Sequence, residues 1–254
     1  MKALILAAGY ATRLYPLTKT VAKPLLPLAG RPMLDYLIDR IREADEIDEI
    51  HLVTNHKFAA GFEAWAERNG VVVHDDGTTS EDDRLGAIGD TQFVVEQAGI
   101  DDDLLVIAGD NLFDYNLADC LTWWHGKGEA NAVVVYDVGD LELVKQYSNV
   151  ELDETERLTS FVEKPEHPTS TLAATAAYLY HRSFVPRIRE YLDEGNSPDQ
   201  PGRLVAWFVP RVPVYGYRVT GDWRDIGDAA QLLGADNHLR EQAGLPTRQA
   251  YSLD

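Results

Sequence analysis

Met1-Lys2-Ala3-Leu4-Ile5-Leu6-Ala7-Ala8-Gly9-Tyr10-Ala11-Thr12-Arg13 opens the chain. Its apolar run ends at a glycine after strand length, which predicts a buried strand over Ala3–Leu6 turning sharply at Gly9. The run is too short for a signal peptide or a membrane span. A buried strand feeding a glycine turn is the opening of an open α/β sheet, in which ligands bind beyond the carboxyl ends of the strands. Successive backbone N–H groups in such a turn can cradle phosphates. No Gly-Lys-Ser/Thr follows, so the turn is not a P-loop, and the second and third glycines of a dinucleotide fingerprint are missing. A strand-to-turn glycine of this kind also occurs for purely structural reasons.

Outward from this stretch, further runs of strand length recur at Ile50–Thr54, Val71–His74, Leu104–Ala108 and Ala132–Tyr136. Between them Leu34, Leu37, Ile38 and Ile41 fall at i, i+3, i+4 and i+7, and Phe58, Phe62, Trp65 and Ala66 repeat the helical spacing. Leu117–Trp124 also reads as helix. Strands alternating with amphipathic helices predict a doubly wound, mainly parallel sheet. After about residue 140 the pattern changes to Asn149–Leu152, Leu158–Phe161 and Leu172–Tyr180, with helices such as Phe184–Leu192, a last strand Val214–Val219 and a final helix from about Asp228 to Gln242. We therefore expect one domain over residues 1–254, with a nucleotide half to about residue 140 and an antiparallel, substrate-binding half from about 141. No low-complexity linker and no internal repeat divides them.

The chain has 254 residues, 45% of them hydrophobic, enough for a substantial core. Its 23 basic residues against 42 acidic ones give a net charge of −19, which argues against nucleic acid as a partner. The acid is spread along the chain and lysine is scarce, a pattern like that of salt-adapted proteins; a plain acidic, well-solvated surface is the simpler alternative. Cys120 is the lone cysteine, so no internal disulfide forms and a reducing cytoplasm is expected. With no long apolar run, no membrane association is expected. Assembly into a homo-oligomer is left open.

The glycine turn continues through Leu14-Tyr15-Pro16-Leu17-Thr18, then Lys23-Pro24-Leu25-Leu26-Pro27-Leu28, then Gly30-Arg31-Pro32-Met33-Leu34. Pro16, Pro24 and Pro27 stiffen an extended excursion that returns Arg13 and Lys23 to one end of the sheet. Gly109-Asp110-Asn111, Glu163-Lys164-Pro165 and Gly221-Asp222-Trp223-Arg224-Asp225-Ile226-Gly227 each follow a strand. In this order and at these separations, the four motifs resemble those of the sugar-1-phosphate nucleotidylyltransferases.

The resemblance implies attack by a sugar 1-phosphate on the α-phosphorus of a nucleoside triphosphate, with loss of pyrophosphate and with Mg²⁺ as cofactor. It places Mg²⁺ on Asp110 and Asp225, and gives Lys164 the bridging of sugar phosphate and α-phosphate. Arg13 and Lys23 would face the leaving pyrophosphate. Nucleotide contacts fall on Ala8, Gly9, Tyr10, Ala11, Thr12, Arg13, Leu85, Gly86 and Asp110, and sugar contacts on Glu163, Lys164 and Tyr178. Thymidine or uridine triphosphate with glucose 1-phosphate is the favoured pair. Three departures stand out: first, Ala11 replaces the family's usual second glycine, and second, the region Thr78–Asp90 lacks the familiar glutamine, so the residue that reads the base is not identified. Third, Ser148-Asn149 replaces a glycine common on the sugar side.

Two other classes compete. A silent regulatory relative would bind a nucleotide sugar without making one, but Asp110, Asp225, Arg13 and Lys164 are all present. A nicotinamide-dependent oxidoreductase would need the missing glycines. His56, His74, His167 and His181 show no ligand spacing, which argues against zinc. Trp123-Trp124 and Trp207-Phe208 read as core or oligomer contacts, and Trp223 is set apart by its place two residues before Asp225.

If the charge reflects salt adaptation, the melting temperature should rise between about 0.1 and 2 M KCl, where screening shortens the Debye length from about 10 Å to below 3 Å. A flat or falling profile in a thermal melt would refute that reading.

Overall fold

The computed structural model describes residues 1–253. In chain order its strands are β1 (Lys2–Leu6), β2 (Pro27–Leu28), β3 (Arg31–Pro32), β4 (Glu49–Thr54), β5 (Val72–Asp75), β6 (Leu104–Ala108), β7 (Asn111–Phe113), β8 (Asn131–Asp137), β9 (Ser148–Leu152), β10 (Leu158–Glu163), β11 (Leu172–Tyr180), β12 (Val214–Val219) and β13 (Trp223–Asp225). The helices are α1 (Met33–Arg42), α2 (His56–Asn69), α3 (Ala87–Ala98), α4 (Leu117–His125), the single turn α5 (Leu141–Val144), α6 (Arg187–Asp193), α7 (Pro201–Phe208) and α8 (Ala229–Gln242).

A nine-stranded sheet runs through both halves of the chain in the order β10-β9-β11-β6-β1-β4-β5, with β8 and β12 branching from β11. The first half is parallel, β1 pairing with β4 and β6. The expected antiparallel half enters through the long strand β11, which pairs with β6, β8 and β9. Alternation along each strand feeds two cores. Ala3, Ile5, Leu105 and Ile107 face α1, α2 and α4, whereas Leu4, Leu104 and Val106 face α3, α6 and α7. Helices thus cover both faces, the doubly wound arrangement expected. Cys120 is fully buried in the first core, a packing residue as expected.

A third cluster secures the excursion that follows Gly9. Leu14, Leu26, Leu28 and Met33 pack against Leu112, Ile226 and the α8 residues Leu232, Ala235 and Leu239. Asp236 of α8 accepts a hydrogen bond from Ala29 N at 2.7 Å, and Tyr36 Oη donates to Leu28 O at 2.9 Å. The C-terminal helix therefore holds the loop that carries Lys23.

Four features differ from expectation. Helix α3, left unassigned in the sequence, begins at Gly86. Helix α7 contains Trp207-Phe208, both buried in the second core. The Gly-Asp-Asn and Asp-Trp-Arg-Asp segments are more than turns: Asn111–Phe113 and Trp223–Asp225 form an antiparallel ribbon, β7 with β13. The expected helix Phe184–Leu192 begins later, at Arg187, after the turns that follow β11.

Gly86 joins the two halves at one point. It has φ +79°, and a Cβ there would lie 2.7 Å from Pro198 O and 2.8 Å from Asp199 Cα. The next two N–H groups donate to those same residues, Ile88 N to Pro198 O at 2.8 Å and Ala87 N to Asp199 O at 3.2 Å. Gly86→Ala should therefore cost about 3 kcal/mol or more, from backbone strain plus overpacking. Gly99→Ala, at a helix end with φ +62° and open space, should cost only about 1 kcal/mol. Urea unfolding of both variants measures the contrast, and equal losses would show that the contact with 198–199 yields freely.

Candidate active site

At the carboxyl end of β1 the chain turns away through Ala8–Arg13. Asn55 fixes the turn: its Nδ2 donates to Ala8 O at 2.8 Å while its Oδ1 caps α2 at Phe58 N. The backbone N–H groups of Gly9, Tyr10, Ala11 and Thr12 donate to no acceptor among the described residues. Four successive free donors form a cradle for an anion. Ala11 occupies it in the left-handed conformation, φ 48° and ψ 46°, held by Thr18 Oγ1 donating to Ala11 O at 2.8 Å. The loop thus keeps the shape a glycine would favour and tolerates about 1 kcal/mol of strain to do so.

A cavity of about 260 Å³ lies over this loop, lined by Gly9 to Arg13 with Lys23, Asp110, Glu81 and Arg84. It opens toward a larger cleft of about 440 Å³, lined by Arg13, Asp110, Glu163, Lys164, Tyr178 and Asp225, together with Gln146, Tyr147, Asp228 and Gln231. Arg13, Asp110, Lys164 and Asp225 come from four separate motifs and meet in one cleft.

The two aspartates are brought together by the β7/β13 ribbon, whose register sets Asp225 opposite Asn111. Asn111 locks the ribbon: its Oδ1 accepts from Trp223 Nε1 at 3.1 Å and its Nδ2 donates to Thr175 O at 2.5 Å on the β11 bulge. Trp223 is therefore a scaffold of the site, packed edge-on against Tyr147. Lys23 Nζ donates to Asp110 Oδ2 at 2.5 Å, so this lysine neutralises Asp110. Asp225 accepts no side-chain hydrogen bond from the described residues. Burial, and then the nearby Asp110, push it up from 3.8 to about 6, against the pull of Lys23, Arg13 and Lys164.

Lys164 follows β10 with φ 46°, pinned by its own N–H donating to Tyr147 O at 2.8 Å. A lysine held in left-handed backbone is a local strain concentrated at the site. Glu163 beside it is raised by burial, and no described residue donates a hydrogen bond to its carboxyl. Tyr178 is buried, and desolvation keeps its phenol protonated. Arg13 lies against the segment after Asp225: a Cβ on Gly227 would sit 3.5 Å from both of its terminal nitrogens.

Ala8 and Gly86 line a third, smaller cavity with Asp90, whereas Leu85 does not line it. The acidic segment before Gly86 is locked by Asp83, whose carboxylate accepts from the N–H and hydroxyl of both Thr79 and Ser80; those bonds lower its pKa to about 2. Sequence reasoning missed Gln146, Tyr147, Asp228 and Gln231. Asp228, the N-cap of α8, could have been found from its place before the helical pattern.

A family profile described as nucleotidyl transferase matches residues 2–242. A UTP–glucose-1-phosphate uridylyltransferase of Synechocystis sp. is 31% identical over 89% of this chain and 60% of its own length. A glucose-1-phosphate thymidylyltransferase of Streptomyces antibioticus is 29% identical over 95% of this chain and 67% of its own. The chain thus spans about 60% of the cyanobacterial relative. A Bacillus anthracis crystal structure, provisionally assigned as a glucose-1-phosphate thymidylyltransferase, superposes with a TM-score of 0.80 over 95% of this chain and 96% of its own, at 24% identity, a likeness of fold.

Between its unfolded value and about 6, folded Asp225 binds a proton that the unfolded chain releases, so metal-free stability falls as pH rises through that window. Asp225→Asn removes the penalty, on the order of 3 kcal/mol. In chelator, this variant should melt several degrees above the parent at pH 7.5, with the gap closing toward pH 4. A melting temperature at or below the parent's at pH 7.5 would show that Asp225 carries no such burden.

Proposed function

The chain belongs to the nucleotidyl transferase family, and from that premise we propose that it joins a nucleoside triphosphate to a sugar 1-phosphate. Thymidine or uridine triphosphate and glucose 1-phosphate are the favoured pair. A phosphate oxygen of the sugar attacks the α-phosphorus, the bond from that phosphorus to the bridging oxygen of the β-phosphate breaks, and pyrophosphate leaves with the electron pair. The observation that carries this reading is the meeting of Arg13, Lys23, Asp110, Lys164 and Asp225 beside an unused cradle of backbone donors.

Polyanions must be packed together, and the residues divide that task by position. The N–H groups of Gly9–Thr12 and the side chain of Arg13 would hold the β- and γ-phosphates and take up charge on the leaving pyrophosphate. Lys164, across the cleft, would draw the sugar phosphate against the α-phosphate and so set the line of attack. Glu163 and Tyr178 would orient the sugar through its hydroxyls. No protein nucleophile is required, because the sugar phosphate is the attacking group.

A divalent cation fits this site. Among the described residues no cluster of three or more metal-ligating side chains converges, which suits Mg²⁺, since it uses one or two carboxylates and takes its remaining ligands from phosphate and water. Asp225, raised by burial and then by its neighbour Asp110, and with no side-chain donor among the described residues, is a carboxylate in need of a cation. Bound there, Mg²⁺ would neutralise charge on the α-phosphate. No helix of the described residues is long and apolar enough to cross a membrane, and the lone buried cysteine is consistent with a cytoplasmic enzyme.

Pyrophosphate release, followed with a panel of five triphosphates against several sugar 1-phosphates, tests the reaction. Asp110→Asn and Asp225→Asn should each cost roughly 10²-fold or more at saturating Mg²⁺, and near-normal turnover of either would remove it from the metal site. Calorimetry separates the cations: Arg13→Ala should weaken triphosphate and pyrophosphate binding, whereas Lys164→Ala should weaken sugar-phosphate binding and the rate. The converse pattern would exchange their roles.

A further inference from the structure

With the phosphates on Gly9–Arg13 and the sugar phosphate beside Lys164, the base is left with the third cavity. It measures about 180 Å³, shares Gly9 and Arg84 with the phosphate cavity, and shares Gly9 and Asp199 with the cleft. Ala8, Gly9 and Gly86 bring no polar side chain to its wall. Arg84 is already paired with Glu81 at 2.9 Å and with Asp199 at 3.1 Å. The first free N–H groups of α3, those of Ala87 and Ile88, are taken by the carbonyls of Asp199 and Pro198.

Asp90, one turn into α3, is the exception. It is 6% exposed, and nothing among the described residues donates a hydrogen bond to its carboxyl. Its neighbour is Asp76, whose Oδ1 accepts from the N–H and the hydroxyl of Thr78, both at 2.7 Å, and whose Oδ2 is buried without a donor. Burial and Asp76 raise Asp90 to about 8 and keep it protonated. Its proton lies in the hydrogen bond to Asp76, which satisfies one oxygen from each carboxyl. The other Asp90 oxygen accepts from no described residue, a deficit that a ligand N–H would fill.

We propose that Asp90 is the specificity-determining residue for the nucleobase, accepting a hydrogen bond from a ring N–H such as N3–H of uracil or thymine. The inference rests on the nucleotidyl-transfer reading only for what occupies the neighbouring cavities. It also supplies a base contact, for which no residue is identified from sequence. Asp76 is a positioning residue here, since it turns the Asp90 carboxyl by sharing its proton, and the Thr78 bonds hold Asp76 in turn.

The test uses calorimetric binding of the five triphosphates and of the N3-methyl derivative of the favoured pyrimidine, with wild type, Asp90→Ala and Asp90→Asn. The methyl group should cost wild type roughly 10- to 100-fold in Kd. Asp90→Ala should lose a similar factor for the parent triphosphate, lose less for the others, and be nearly indifferent to methylation. Asp90→Asn, which keeps volume and fold, should reorder the preference among the five. Equal losses for all five triphosphates in both variants, or a methyl penalty undiminished in Asp90→Ala, would overturn the proposal. Absence of pyrophosphate release from wild type, with selective binding intact, would sink the transferase reading and leave the role of Asp90 standing.

Discussion

Two carboxylates must be held side by side, and three residue pairs do it. Asp110 and Asp225 come from distant parts of the chain, and the β7/β13 ribbon gives them a common frame. Left to themselves, like charges at this spacing repel, and the protein answers with Lys23 on Asp110 and with a raised pKa at Asp225. The ribbon is far too short to persist alone. It is held because Asn111 bonds Trp223 on one side and the β11 bulge on the other, and because Leu112 and Ile226 on its far side join the third core cluster. The rest of the site is arranged around this forced proximity.

That cluster explains how the opening loop and the C-terminal helix come to depend on one another. Leu14 and Leu26 bracket the segment that carries Lys23, and both pack where α8 packs. The phosphate loop, its lysine and the second aspartate therefore share one apolar support. A shift of α8 would be felt at Lys23 and at Asp225 together. Of the five non-glycine residues with positive φ among the described residues, Ala11, Lys164 and Ala176 line the site. Such conformations persist only where surrounding contacts overdetermine them, and here Thr18 and the Tyr147 carbonyl supply those contacts for the first two.

The central strands and the amphipathic helices were legible because period and length are strong signals, as for Ala3–Leu6 and for Leu34, Leu37, Ile38 and Ile41. Helix α3 was not, since Ala87–Ala98 buries Asp90, Thr91 and Gln92 alongside Ile88 and Val94 and so blurs its apolar face. The ribbon was invisible for another reason: three-residue strands have no period to read, and only the register across the chain reveals them. Of the candidate site, the charged residues could be named from motifs, and the structure gathers them in one cleft. Leu85 was named and does not line the cavity that Gly86 does. Asp90 carried no signal in the sequence, because its significance lies in burial beside Asp76, a contact between separate segments.

The charge of the whole molecule sharpens what the site must do. At −19 the surface repels a triphosphate at long range, but at 0.15 M ionic strength screening confines that repulsion to about 8 Å. Attraction therefore has to act at contact, and the site is built from groups that act there. Backbone donors on Gly9–Thr12 are fixed by the fold and carry no charge to be screened. Arg13, Lys23 and Lys164 line the cavity and the cleft. In the proposed roles, the acceptors of Asp90 and Glu163 would meet uncharged parts of a ligand, contacts that salt does not screen. For the proposed reaction, an acidic protein would bind polyanions by moving recognition from the field around the molecule to short hydrogen bonds inside it.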